Sequence, residues 1–274
     1  MKLGMKVIKH DLGVDTESVN IVAIADCHLG ADAFDEDKFL NHRQMILDTP
    51  NTYCLIVGDL LEMGTRQSVS DLWGSLRPAE QRKLAIRYLE PLAEAGKILA
   101  YIDGNHEARA QKDSDELVGE MICWALDISN VYHPDAAYLF LQVGHNHDKG
   151  GKSEKNKEKN RLVYTAYMVH GWSSARTKGA KANNLERLAQ VVIADMYFIA
   201  HSHQQMIFPD KVLVPETRSK SLRWQKSMFI NTGSYLDYLG YPVRKGMSPV
   251  ETGVPHVVLN GTRREIKGIT TLEG

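Results

Sequence analysis

The sequence predicts an α/β protein whose sheet is covered on both faces. Short apolar runs alternate with helical patterns along the chain, and the runs 21–25, 53–57 and 98–102 are almost entirely apolar. Strands buried on both faces carry such runs, whereas strands with one face in water alternate apolar and polar residues. Several of these runs end directly on polar side chains. Open α/β sheets bind their ligands at that end of the strands.

Length and composition favour one large domain spanning residues 1–274. Hydrophobic residues make up 43% of the chain and charged residues 24%, which is ordinary for a globular domain with a sizeable core. The net charge of -1 gives no general attraction to nucleic acid, so any such contact has to be local. Three cysteines, no signal peptide and no long apolar span predict a cytoplasmic protein that does not associate with membranes.

The other elements are predicted from the spacing of apolar side chains. The predicted helices cover residues 36–47, 78–95, 113–125 and 183–192, and the further predicted strands cover 7–12, 137–143, 162–169, 196–200, 228–230 and 256–259. The segment 144–161 mixes lysines with glutamates and is expected to be a solvated, mobile loop.

The central polar cluster is Asp103-Gly104-Asn105-His106-Glu107, which follows the apolar run 98–102. It offers an amide oxygen, an imidazole and a carboxylate within three residues, all of which can bind a metal ion. Four other clusters also follow apolar runs directly, and they contain Asp26 and His28, Asp59, His170, and His201 and His203.

A single cluster of this kind has an ordinary alternative. Asp26 and His28 alone fit a capping carboxylate and a surface histidine. Five clusters in one structural context instead predict a site for two divalent ions. Two ions about 3.5–4 Å apart can clamp a phosphate and generate hydroxide near neutral pH.

In chain order, the motifs Asp-x-His, Gly-Asp, Gly-Asn-His-Glu, His-Gly and His-x-His resemble those of the calcineurin-like metallophosphoesterase superfamily. The resemblance runs from about residue 21 to 234 and implies a four-layer α/β/β/α sandwich with two divalent ions at one edge. Manganese is the metal expected to support activity in an assay, and iron or zinc would also suit these ligands.

The resemblance also implies a role for each matching residue. Asp26, His28 and His203 would hold the first ion, Asn105, His170 and His201 the second, and Asp59 would bridge both. His106 would lie beside the scissile phosphate, where it stabilises the transition state or protonates the leaving group. Glu62 matches an acidic position of the family and would orient His106.

The last motif of the family is usually Gly-His-x-His. Residues 144–147 match this pattern at every position, whereas residues 200–203 begin with alanine. We reject residues 144–147 as the metal motif because they precede His170 and open the charged segment. His145 and His147 are expected in a hairpin loop. The choice places Ala200 where the family usually has glycine.

The candidate substrate-binding residues are Arg66, Arg109 and Arg176, since arginine can bind phosphate through two hydrogen bonds. A solvated surface charge is the alternative for each. The family's protein phosphatases carry two phosphate-binding arginines where this chain has Met63 and Asp103. Their absence disfavours a protein phosphatase.

The sequence 58–61, Gly-Asp-Leu-Leu, looks more like that of double-strand-break repair nucleases and other phosphodiesterases. Those nucleases usually have Asp at the position of Glu107 and an added capping domain. The chain is also similar to compact phosphoesterases of bacteriophages and prophages, whose substrates are generally unassigned.

We therefore expect a two-metal phosphoester hydrolase, a phosphodiesterase or nuclease acting on nucleic acid or nucleotides through a metal-bridging hydroxide. The alternatives are a phosphomonoesterase for nucleotides or phosphoproteins, and a non-catalytic nucleic-acid-binding module. DNA or a nucleotide is the expected partner. Edge strands and the segment 235–241 leave a homo-oligomer open.

Overall fold

The computed structural model describes residues 4–64, 76–149, 153–172, 175, 177–238 and 253–270. Its strands are β1 (Lys6–Asp11), β2 (Ser18–Ile24), β3 (Thr52–Val57), β4 (Ile98–Ile102), β5 (Tyr132–His133), β6 (Ala136–His145), β7 (Arg161–Val169), β8 (Met196–Ile199), β9 (Met206–Glu216), β10 (Ser221–Asn231), β11 (His256–Asn260) and β12 (Ile266–Ile269). Its helices are α1 (Glu36–Asp48), α2 (Pro78–Glu94), α3 (Glu107–Ser114), α4 (Val118–Ala125), α5 (Glu154–Lys159) and α6 (Lys178–Glu186).

These strands form two six-stranded sheets. One has the order β1-β6-β7-β8-β10-β9 and the other the order β12-β11-β2-β3-β4-β5. Within the second sheet, β2, β3, β4 and β5 run parallel to one another, so their carboxyl ends lie on the same side. In the first sheet, β7, β8 and β10 are parallel in the same way.

The main core lies between the two sheets, where Ile21 and Leu55 of one sheet pack in the same cluster as Leu139 and Phe198 of the other. A second core joins the outer face of β2 and β3 to α1, α2 and α4. A third joins β8 and β10 to α6. The predicted four-layer α/β/β/α sandwich is therefore confirmed. None of the described helices is long and apolar enough to cross a bilayer.

Two predicted helices differ in extent from the helices of the structure. The predicted helix 113–125 is divided into α3 and α4, because Asp115 adopts a left-handed backbone with φ of 57°. The predicted helix 183–192 starts earlier, at α6, where the Thr177 side chain accepts a hydrogen bond from the Ala180 N–H. It then ends in a 3-10 turn, Arg187–Gln190.

The segment 144–161, expected as a loop, contains α5. Glu154 lies in the first turn of this helix, where negative charge is favourable, and Lys157 pairs with both Glu154 and Asp15. His145 is the last residue of β6 rather than a loop residue. The i,i+3 pair of Lys157 with Glu154 favours a helix in this highly charged segment, and the pair with Asp15 ties the helix to a distant part of the chain.

His42 on α1 gives the fold a predicted sensitivity to acid. Its Nδ1 lies 3.0 Å from the Tyr235 hydroxyl. Burial and the charge of Lys38 lower the pKa of His42 to about 4, although Asp35 acts in the opposite direction. An unfolded histidine titrates near about 6.5, so the folded chain binds fewer protons between these values. The contribution of neutral His42 to the free energy of unfolding is therefore fully present above about pH 6.5 and is lost as the pH falls towards the folded pKa.

We expect the wild type to lose more stability than His42→Gln between pH 7 and pH 5. Urea unfolding of both proteins at the two pH values measures the difference. Equal losses in the two proteins would contradict this role of His42.

Candidate metal centre

Strands of both sheets deliver the predicted ligands to one edge of the sandwich. Asp26 and His28 follow β2, Asp59 follows β3, Asn105 follows β4, His170 follows β7, and His201 and His203 follow β8. The loops are joined across the sheets, since the Asp26 carboxylate accepts a hydrogen bond of 2.9 Å from the His201 N–H. The edge therefore combines side chains that are far apart in the chain.

The first group comprises Asp26, His28 and His203, whose ligand atoms all lie within 4.8 Å of one another. The Nε2 atoms of His28 and His203 face each other at 3.4 Å. The Asp26 Oδ1 atom is buried and makes no hydrogen bond. Such an orphaned oxygen beside two imidazole nitrogens fits a divalent cation.

The second group comprises Asp59, His170 and His201, again within 4.8 Å of one another. The His170 Nε2 atom lies 3.1 Å from Asp59 Oδ2 and 3.2 Å from Asn105 Oδ1. The charge of Asp59 also acts on His28 of the first group. The two groups are therefore neighbours, and the charge of the Asp59 carboxylate raises the pKa of a histidine in each of them.

Hydrogen bonds fix the orientation of two of these imidazoles. The Nδ1 atom of His170 donates to the Val57 carbonyl at 2.8 Å, and that of His28 lies 2.9 Å from Glu62 Oε2. Both acceptors hold the proton on Nδ1, which leaves the Nε2 lone pair for a cation.

Five of the seven predicted ligands have a left-handed backbone: φ is 49° at Asp26, 52° at His28, 49° at Asp59, 66° at His201 and 56° at His203. Such conformations are uncommon in non-glycine residues and cluster at functional sites. Gly104 allows one of these loops to approach, because a Cβ there would lie 2.2 Å from Asp59 Oδ1.

The charges of this edge favour a cation between the ligands. Burial raises the pKa of Asp26 to about 7. Burial also opposes ionisation of Asp59, but the charges of His170 and His106 outweigh it and hold the pKa of Asp59 well below its usual value. Asp59 in turn raises the pKa of His170 to about 10 despite the burial of the ring. A metal ion would compete with that proton for the same atoms.

Several solved structures are similar to this chain in fold. Vacuolar Protein Sorting 29 from Cryptosporidium parvum is 13% identical, with 93% of this chain and 100% of that chain covered and a TM-score of 0.44. A predicted phosphoesterase from Streptococcus pneumoniae is 14% identical, with 92% and 90% covered and a TM-score of 0.39. A metallophosphoesterase from Sphaerobacter thermophilus is 13% identical, with 93% and 88% covered and a TM-score of 0.40.

No protein-family model matches this chain, and no curated protein is similar enough to match.

His106 lies beside both groups. Its ring centroid is 4.4 Å from that of His28, and its Nδ1 donates to the Glu62 carbonyl oxygen at 2.7 Å. Burial and the charge of His28 lower the pKa of His106 to about 4. The Glu62 carboxylate is farther from His106, at 3.5 Å, and contacts His28 more closely. Glu62 therefore orients two histidines through different atoms, whereas the sequence predicted only the contact with His106.

Of the three predicted substrate-binding arginines, the structure places Arg109 at this edge. Its Nη2 lies 2.8 Å from the Nε2 of His106, and its Nη1 donates to the Glu62 carbonyl at 3.1 Å. Arg66 and Arg176 lie outside the described residues. Within the described part of the chain, His145 and His147 belong to no group of three possible metal ligands, although their rings are 4.6 Å apart.

The sequence offered the Glu107 carboxylate as a group that can bind a metal ion, but the structure uses it to join the loops that carry the candidate ligands. It is buried and accepts hydrogen bonds from three backbone N–H groups, those of Asp59 (3.0 Å), Leu61 (2.9 Å) and Gly104 (2.9 Å). Its position at the end of the Gly-Asn-His-Glu motif, directly after His106, was the available signal. Glu107 is therefore a positioning residue for Asp59 and for the loop of Asn105.

Proposed function

We propose that this chain is a two-metal-dependent phosphoester hydrolase that prefers a phosphodiester of nucleic acid or a nucleotide. The observation that carries the proposal is the pair of adjacent ligand groups, in which Asp26 Oδ1 is orphaned and two imidazole Nε2 atoms face each other at 3.4 Å. Buried polar atoms normally have partners, so this arrangement favours a site for cations.

In this proposal, Asp26, His28 and His203 would hold one ion, Asn105, His170 and His201 would hold the other, and Asp59 would serve both. Bound divalent ions would polarise the phosphoryl oxygens and lower the pKa of water. Manganese, iron and zinc all suit these oxygen and nitrogen ligands.

The protein's own groups would act on the phosphate next to the ions. The Glu62 carbonyl holds the proton of His106 on Nδ1, so the Nε2 atom faces Arg109. Arg109 supplies a positive charge that can bind a phosphoryl oxygen, and the unprotonated Nε2 of His106 would hold that guanidinium beside the phosphate, so His106 would stabilise the transition state through Arg109.

Two residues near the site support a diester over a monoester. Asp103 is buried and accepts a hydrogen bond from the Tyr132 hydroxyl at 2.6 Å, and Met63 is also buried. Neither position supplies the arginine that protein phosphatases of the resembled family use to bind a phosphomonoester.

The proposal is tested by hydrolysis of an aryl phosphodiester and the matching monoester, each with manganese and with chelator. Faster cleavage of the diester that stops with chelator supports it. Faster cleavage of the monoester would indicate a phosphatase. Protein that holds two metals and cleaves neither would be a binding module instead.

We expect His106→Ala to lower turnover about 100-fold or more, since a positioned acid or electrostatic stabiliser contributes about that much. Metal content, measured by atomic emission, should stay at the wild-type level. His145→Ala, in the rejected histidine motif, is the matched control and should preserve both. Substantial metal loss in His106→Ala would show that His106 is a ligand.

A further inference from the structure

The distal halves of β9 and β10 form an arm, which we define as residues 210–227. β10 pairs with β8 only at Met228–Asn231, and its residues 221–227 pair with β9. The base of the arm is anchored to the metal edge, because the Asn231 side chain lies 3.0 Å from the hydroxyl of Ser202, between two predicted ligands. The arm is thus a ribbon that extends from the sheet.

One face of the arm is apolar and exposed. The cross-strand pairs Leu213–Trp224, Pro215–Leu222 and Lys211–Lys226 lie on the same face, because residues directly opposite in an antiparallel pair share a side. Leu222 is 63% exposed, Trp224 55% and Leu213 49%. The Lys211 ammonium lies 4.8 Å from the centre of the Trp224 ring. Clustered apolar exposure of this kind marks an interaction surface.

The free edge of the arm disfavours a protein strand as the partner. β9 is the last strand of its sheet and contains Pro209 and Pro215. Proline has no N–H to offer an added strand, and charged residues such as Lys211 also protect an edge. The side-chain face, rather than the edge, is therefore the surface available to a partner.

The charge of this hairpin favours a polyanion. Residues 206–231 contain five basic side chains and two acidic ones, although the whole chain has a net charge of -1. They are Lys211, Arg218, Lys220, Arg223 and Lys226 against Asp210 and Glu216. An aromatic ring between lysines is the combination that binds single strands, since bases stack on the ring and lysines neutralise phosphates.

We propose that the arm binds single-stranded nucleic acid, with a base stacked on Trp224 and phosphates paired with Lys211 and Lys226. The inference rests on the proposed function and gives its substrate class as a single strand. Trp224 is seven residues from Asn231, or roughly 23 Å along an extended strand. The arm would therefore hold a strand at a distance from the metal edge, and paired bases would stack less well.

The test is fluorescence anisotropy of labelled 16-nucleotide dT and U strands, with chelator present so that nothing is hydrolysed. We expect Trp224→Ala to weaken binding about ten-fold or more, and Trp224→Phe to retain most of it, because phenylalanine also offers a stacking face. Trp124→Ala is the matched control, since Trp124 is 77% exposed on α4. The Trp124→Ala variant should bind both strands as tightly as the wild type does. The wild type should bind a duplex less tightly than either single strand.

The salt dependence tests the two lysines separately. Each phosphate contact on a single strand contributes about 0.7 to the slope of log affinity against log salt. The double variant Lys211→Ala/Lys226→Ala should reduce that slope by about 1.4. Trp224→Ala should leave the slope unchanged.

Equal affinity of Trp224→Ala and the wild type would overturn the inference, as would equal binding of single strand and duplex. A dimer in light scattering that dissociates in Trp224→Ala, without binding of oligonucleotide, would assign the face to a second copy of the chain. Because the binding assay contains no metal, a failure to bind oligonucleotide would not contradict the proposed hydrolase activity. Failure of the diester assay would likewise leave the arm's binding measurable.

Discussion

Replacing Asp59 with Asn is expected to lower turnover at least about 1,000-fold, a loss of about 4 kcal/mol in transition-state stabilisation. Asp59 is buried, lies 3.1 Å from His170 and accepts the His106 N–H at 2.8 Å. Asparagine retains the shape and tolerates the left-handed backbone, but removes the negative charge that would hold two cations. Metal content and turnover of the purified variant, beside the wild type, measure the effect.

Asp127→Asn is the control for the substitution itself. Asp127 is exposed, follows α4 and has a left-handed backbone with φ of 56°. The Asp127→Asn variant should therefore keep both metals and full turnover. If Asp59→Asn kept two metals and most of its turnover, Asp59 would not be the shared ligand. A binding module would keep its affinity for nucleic acid in Asp59→Asn despite losing metal.

Glu107→Gln is expected to destabilise the protein by about 2–4 kcal/mol, because an amide in place of the carboxylate leaves at least one buried N–H without an acceptor. Burial and the charge of Asp59 raise the pKa of Glu107, yet three N–H groups point at its two oxygens and favour the ionised form. The melting temperature should fall by about 5–10 °C.

The same change should weaken metal binding, since Glu107 ties the Asp59 loop to Gly104. Titration with manganese below the melting transition measures this effect separately from unfolding. Glu116→Gln is the matched control, because Glu116 is exposed and pairs with Arg82 at 3.0 Å. Exposed pairs contribute at most about 1 kcal/mol, so Glu116→Gln should melt within a few degrees of the wild type. Similar losses in both variants would contradict the positioning role.

The sandwich could be predicted from sequence because buried strands have a clear signature. β2, β3 and β4 are nearly continuous apolar runs, and each ends on the polar residues that the structure brings to one edge. The arm could not be predicted in this way. Residues 222–225 do alternate apolar and polar, as a half-exposed strand does, but β9 is interrupted by Pro209 and Pro215, and only the buried segment 228–230 beyond the arm was predicted as a strand.

The grouping of the candidate ligands was predicted only through a resemblance to a family. The sequence shows that His170 follows a strand, but not that β7 and β3 belong to different sheets whose ends meet. That arrangement depends on packing between the sheets. The contacts of Glu107 and Glu62 were likewise not predictable, because they join side chains to backbone atoms of loops whose course the sequence does not specify.

The left-handed backbone at five of the candidate ligand positions restricts how this candidate centre could be redesigned for a chosen metal. A glutamate or cysteine introduced at Asp26, His28, Asp59, His201 or His203 would meet a steric cost of about 1–2 kcal/mol before any coordination bond forms. Asn105 and His170 have no such backbone. An engineer who wants softer ligands should therefore begin at these two positions, where a new side chain is limited only by the space around it.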